Sequence, residues 1–95
     1  MAKFPLGRVC TTRRVLRDMS ECPAFARFVA DMLFQYQNGV WGDLSAADQA
    51  ANDAAVKCGC ERILGSYRYP GDSRKIWIIT EADHSVTTVL YPSEY

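Results

Sequence analysis

The stretch KIWIITEADHSVTTVLYPSEY, Lys75 to Tyr95, decides the fold. Ile76 to Thr80 is a run of β-favouring residues, Asp83-His84-Ser85 is a turn, Val86 to Tyr91 returns, and Pro92 ends the second strand. Ile76, Trp77, Ile78 and Ile79 make the first of these strands apolar on both faces. Such a strand is central to its sheet. It is either covered on both sides, or covered on one side and used for contact on the other.

Upstream of it, the hydrophobic period changes from 3.6 to 2 at Arg62. Ile63, Gly65, Tyr67 and Tyr69 then share one face and Leu64, Ser66 and Arg68 the other. Pro70-Gly71-Asp72-Ser73 is a turn, so three strands form an antiparallel meander. Leu6 to Cys10 is a candidate fourth strand, after which Thr11 or Thr12 caps a turn of helix through Met19.

Two main helices fill the middle of the chain. Phe25, Phe28, Val29, Met32, Leu33 and Tyr36 fall at i, i+3, i+4, i+7, i+8 and i+11, on one face of a helix that Ser20 or Glu21 starts and Asn38-Gly39 stops. Ser45 caps the second, with Asp48 three residues on, and it runs to Lys57 or Cys58. Its inward positions read as Ala47, Ala50, Ala51, Ala54 and Ala55. Trp41, between the helices, is a core plug. The expectation is a single α+β domain over residues 1–95, with two main helices on one face of a three- to four-stranded antiparallel sheet.

Composition is that of an ordinary globular protein, at 48% hydrophobic and 23% charged residues. No stretch reaches the roughly 20 apolar residues of a membrane helix, and MAKFPLGRV lacks an apolar signal core, so no membrane partner and a cytoplasmic location are expected. In that reducing setting Cys10, Cys22, Cys58 and Cys60 read as thiols. Lys and Arg total 11, as do Asp and Glu. A neutral chain does not hold a phosphate backbone by bulk charge, which disfavours nucleic acid as the partner. The charges are nevertheless segregated: Lys3, Arg8, Arg13, Arg14 and Arg17 open the chain without an acid, and its middle is acidic.

No phosphate-binding loop, dinucleotide fingerprint, metalloprotease motif or nucleophile elbow occurs, and no cofactor is expected. Cys58-Gly59-Cys60 could offer two thiolates to zinc, but it lacks the C-x2-C spacing and a second histidine, so the two cysteines read as small apolar residues at a helix end. His84 is the only histidine and reads as a turn residue. What remains is an aromatic and basic set on the sheet, Arg62, Tyr67, Arg68, Tyr69, Lys75, Trp77 and Tyr91, of which about half must face the helices. Tyr, Trp and Arg anchor protein interfaces. With the acidic residues Asp43, Asp48 and Asp53 they form the candidate contact set for a host protein or complex. An uncovered apolar sheet face would also suit a homodimer.

Phe4 to Arg8 (F-P-L-G-R), Trp41 to Asp43 (W-G-D), Asn52, Lys75 to Asp83 (K-I-W-I-I-T-E-A-D), Thr87-Thr88 and the terminal P-S-E-Y resemble a group of short bacterial proteins carried on plasmids and prophages. The resemblance spans most of the chain. It implies a role in element maintenance or in blocking a host defence such as CRISPR or restriction, hence a non-enzymatic, protein-binding inhibitor. The architecture is also similar to that of RelE-type ribonucleases and ParE-type gyrase inhibitors. As the alternative, that similarity implies a toxin with Arg62, Tyr67, Lys75 and His84 as its working residues.

Overall fold

The computed structural model describes residues 2–95. Its elements are β1 (Arg8–Thr11), α1 (Arg13–Glu21), α2 (Pro23–Gln37), α3 (Ala46–Cys58), β2 (Ile63–Arg68), β3 (Lys75–Thr80) and β4 (Val86–Leu90), closed by a 3₁₀ turn at Pro92–Glu94. The four strands lie in the order β1-β4-β3-β2. The meander is antiparallel, as its turns require. The expectation of a wholly antiparallel sheet is corrected at β1, which runs parallel to β4 with Arg8 opposite Val86 and Thr11 opposite Val89. No hairpin joins β1 to β4, so turn geometry does not fix their relative direction. That direction is set by contacts: Arg8 N–H donates to Ser85 O at 2.9 Å and Thr12 N–H to Val89 O at 3.1 Å.

Among the described residues the α-helices number three. Thr12 caps α1 by accepting from Val15 N–H, and its hydroxyl donates to Glu94 Oε1 at 2.9 Å, tying the start of α1 to the end of the chain. α2 begins at Cys22 with Pro23 in its first turn, not at a Ser20 or Glu21 cap. Its apolar stripe is as the spacing predicts, with Phe25, Val29 and Tyr36 fully buried and Phe28, Met32 and Leu33 packed against the core. α3 is capped by Ser45 as expected. Of its five alanines expected inward only Ala55 is buried, beside Asn52, while Ala47, Ala50, Ala51 and Ala54 are exposed. An alanine side chain gains too little area on burial to dictate which face turns in.

Asn52 explains the placement of α3. As the outermost strand, β2 carries backbone groups with no neighbouring strand. Asn52 Nδ2 donates to Leu64 O at 2.7 Å and its Oδ1 accepts from Leu64 N–H at 3.3 Å. Two residues along, Ser66 N–H donates to Trp41 O at 3.0 Å and Ser66 O accepts from Asp43 N–H at 2.6 Å. Gly42 sits between these bonds at φ +78°, where a Cβ would lie 2.1 Å from Ser66 O. The Trp-Gly-Asp segment and Asn52 thus seal this edge together. Gly7 permits a similarly close approach where β1 meets the β3–β4 turn, since a Cβ there would lie 2.3 Å from Ser85 O.

A chain of hydroxyls crosses the core. Tyr36 OH lies 3.0 Å from Ile63 O and 2.7 Å from Thr80 Oγ1; Thr80 Oγ1 is 2.7 Å from Thr87 Oγ1, which is 2.6 Å from Leu6 O. All three side chains are fully buried. Three hydroxyls carry three protons, so three of these four contacts are hydrogen bonds at any moment.

Cys58 and Cys60 are joined by a disulfide, which corrects their reading as thiols; Cys10 and Cys22 are free. The loop so closed is among the shortest a disulfide can close. Its chain-entropy contribution is well below the ~3 kcal/mol of a 15-residue loop.

Two stability measurements check this account. By denaturant unfolding, Asn52→Ala is expected to cost about 1–3 kcal/mol, because both backbone groups of Leu64 lose their partner. Thr80→Val is expected to cost less than Thr87→Val, by about 1 kcal/mol, since without Thr80 the Tyr36 and Thr87 protons still reach Ile63 O and Leu6 O.

Candidate interaction surface

Strand alternation divides the sheet residues between two faces. Ile63, Gly65 and Tyr67 of β2, Ile76, Ile78 and Thr80 of β3, and Thr87 and Val89 of β4 face the helices and are buried. The opposite face carries Leu64, Trp77, Ile79, Val86 and Leu90, with Lys75, Arg68 and Arg8 among them. Ile79 and Leu90 are only 5% and 7% exposed, yet neither belongs to the cluster that forms the core. Leu64, Trp77 and Val86 are half-buried and also stand outside it. The sheet therefore has a second apolar layer.

The end of the chain forms a ridge on that layer. The 3₁₀ turn packs on β3 and brings the Tyr95 ring to 5.6 Å from Trp77, edge to face. Arg62 lies 5.4 Å over the same ring and donates to the Tyr95 hydroxyl. Tyr95 remains 64% exposed. Tyr95 carries no signal in the sequence alone; it caps the 3₁₀ turn three residues after Pro92.

Of the candidate contact set, this face gathers Trp77, Arg62, Arg68 and Lys75. Tyr67 is in the core, donating to Val40 O at 2.5 Å. Tyr91 is buried and donates to Asp18, with Arg14 5.4 Å above its ring. Tyr69 is half-buried, 5.3 Å from Phe25 and 5.0 Å from Phe28. Asp43 pairs with Lys75 at 3.4 Å, Asp53 accepts from Trp41 Nε1 at 3.0 Å, and Asp48 is exposed in the first turn of α3. The acidic residues thus lie beside the sheet edge and not on its open face.

The ribonuclease-like set does not converge. Arg62 precedes β2 while Lys75 opposes Arg68 at the far end of the same strand pair, and Tyr67 points to the other face. His84 occupies the β3–β4 turn at φ +58°, its ring 6.0 Å from Phe4 and its Nε2 3.3 Å from Glu61 O. The turn itself is made by Asp83, whose Oδ1 accepts from Ser85 N–H and Oγ–H. Cys58 and Cys60 are spent in their disulfide, and among the described residues no group of three or more His, Cys, Asp or Glu is placed to hold a metal ion. No helix among them is long and apolar enough to cross a membrane.

A second polar cluster lies where α1 meets the end of β4. Arg74 pairs with Asp72 at 2.8 Å and covers the Phe25 and Tyr69 rings at 4.2 and 5.1 Å. The Tyr91 hydrogen bond, supported by Arg17, holds the Asp18 carboxyl below its ordinary value despite partial desolvation. Burial first, and then Asp18, push the Tyr91 hydroxyl up to about 12. These charges answer one another, and the cluster reads as a clamp between helix and strand.

No known family, curated protein or solved structure matches the chain.

The clamp gives stability a pH dependence at both ends. Asp18 has a depressed folded pKa, so its contribution is present above the ordinary carboxylate range and is lost as pH falls through the folded value. Tyr91 has a raised one, so its contribution is present below about 10, the unfolded tyrosine value, and is lost as pH rises through about 12. In melting temperatures measured across pH, Asp18→Asn is expected to be less stable than the wild type at neutral pH, with the gap closing toward acid.

Proposed function

We propose that the protein is a non-enzymatic binding module that places the open face of its sheet against another protein, and that it acts as a mobile-element inhibitor by covering a working surface of a host complex. The observation that carries this reading is the second apolar layer. Ile79 and Leu90 are buried outside the core, beneath a half-exposed Trp77, with Tyr95 and Arg62 beside it. Trp, Tyr and Arg around a desolvated aliphatic centre is the composition that concentrates binding energy at protein interfaces.

Charge narrows the partner. Arg8, Arg62 and Arg68 are exposed, and none has a carboxylate within 4.0 Å among the described residues. A two-fold dimer through this face would set one arginine-edged surface against an identical one, with no carboxylate on the strands of the face to answer the charge, which disfavours self-association. A different protein, with an apolar patch edged by carboxylates, meets both requirements. The chain's zero net charge and the aliphatic centre of the face favour protein over nucleic acid. The inhibitor role rests on the sequence resemblance to plasmid and prophage proteins.

The test is affinity capture from bacterial lysate with wild type, Trp77→Ala, Arg62→Glu and His84→Ala, each verified as folded by circular dichroism. A defined protein complex is expected on wild type and His84→Ala, with binding weakened about 30-fold by Trp77→Ala, the factor that ~2 kcal/mol implies. Arg62→Glu is expected to weaken it as well, and nuclease treatment to leave it unchanged. Equal capture by all variants, or capture that nuclease abolishes, overturns the proposal. So does growth arrest on expression that His84→Ala alone removes.

A further inference from the structure

The Cys58–Cys60 disulfide does not serve the core. Both residues are exposed and neither belongs to the core cluster. α3 is held upstream of them, by Asn52 on the β2 edge and by the buried Ala55. The helix end is closed without the sulfurs as well, since Gly59 N–H donates to Ala55 O at 2.9 Å. The bond spans a sequence separation of two, with Cα atoms 5.3 Å apart, so it constrains little of the unfolded chain.

What the bond does have is access. Ala51, Ala54, Ala55 and Glu61 line an open concavity against the two cysteines. The exposed small side chains of α3, which pack on nothing else, leave room for an approaching chain beside the sulfurs. Exposed disulfides of little structural consequence are the labile class, open to attack by thiolates.

We infer that Cys58–Cys60 is a thiol–disulfide exchange site whose reactant is a thiol, either a small molecule such as glutathione or a cysteine of another protein. The reaction balances as two displacements. An incoming thiolate attacks Cys60 Sγ, the Cys58–Cys60 bond breaks, and Cys58 leaves as a thiolate while Cys60 carries the mixed disulfide. Cys60 N–H, 3.1 Å from Cys58 Sγ, is placed to stabilise that leaving sulfur. A second thiolate then attacks the attached sulfur and releases Cys60. Two thiols become one disulfide, and the protein takes up two electrons and two protons as Cys58 and Cys60 thiols. The reverse sequence reoxidises the pair. Cys10 and Cys22, half-buried and free, take no part.

The experiment equilibrates the intact protein in buffers of graded reduced and oxidised glutathione, quenches with acid and counts alkylatable thiols by intact mass. The count is expected to rise by two in one transition. The reduced-to-oxidised ratio should change tenfold per tenfold change in squared thiol over disulfide, with peptide mapping placing the change on Cys58 and Cys60. The melting temperature should be the same on both sides of the transition. In Cys58→Ser, which removes the resolving sulfur, a glutathionyl adduct on Cys60 should accumulate. A second arm replaces glutathione with a dithiol protein lacking its own resolving cysteine; a trapped mixed disulfide there and none with glutathione identifies a protein thiol as the reactant, and the converse a small one. A thiol count unchanged with glutathione together with no mixed disulfide in the protein arm, a transition that coincides with unfolding, or adducts confined to Cys10 and Cys22 would overturn the inference.

Discussion

The fold depends on a proton-sharing chain that no single element owns. Tyr36 comes from α2, Thr80 and Thr87 from the two central strands, and the terminal acceptors are the carbonyls of Ile63 and Leu6. A buried hydroxyl without a partner costs more than its bond contributes, so each of these groups enforces the position of the next. Helix, sheet and N-terminal segment therefore come to register together. Burial pushes the Tyr36 hydroxyl well above its ordinary pKa, so its proton stays in the chain far into the alkaline range.

The chain also decides which face of β3 turns inward. On apolar content alone, Ile76 and Ile78 compete with Trp77 and Ile79. Thr80 shares a face with the first pair, and its hydroxyl finds partners only under α2. Once that side is fixed, Trp77 and Ile79 are committed to the other side, where no helix joins them to the core. The open apolar face is thus a by-product of satisfying one buried threonine. Tyr67 and Tyr91 go inward by the same parity, which is why an aromatic-basic set that looks continuous in sequence divides between two faces.

Much of this was legible in the chain and the rest fails for identifiable reasons. The Phe25 to Tyr36 stripe, the Ser45 cap and the two turns of the meander are local features, and the structure has them where the spacing puts them. The direction of β1 is not local, since its partner lies at the opposite end of the chain. The facing of α3 does not follow its alanines, of which only Ala55 is buried; its signal is the single asparagine among them, Asn52. The disulfide was hidden by an argument from cellular compartment, which cannot rank two cysteines held side by side. Trp77 and Arg62 stand out in the chain and lie on the open face, whereas Tyr95 carries no local signal, because only the folded 3₁₀ turn brings it over the sheet.

The sealing of β2 also bears on how the molecule behaves when crowded. A small sheet with one bare apolar face would ordinarily be prone to growing by adding strands from neighbouring copies, the route to fibrils. Here Asn52 and the Trp41–Asp43 backbone occupy the hydrogen-bonding positions of one border, and the other border is a strand of only four residues. Growth is blocked past β2, and the short β1 offers a new strand little to pair with, while the face between them stays apolar. An apolar face bounded in this way can meet another surface only face to face, because the backbone ladder cannot be extended past β2.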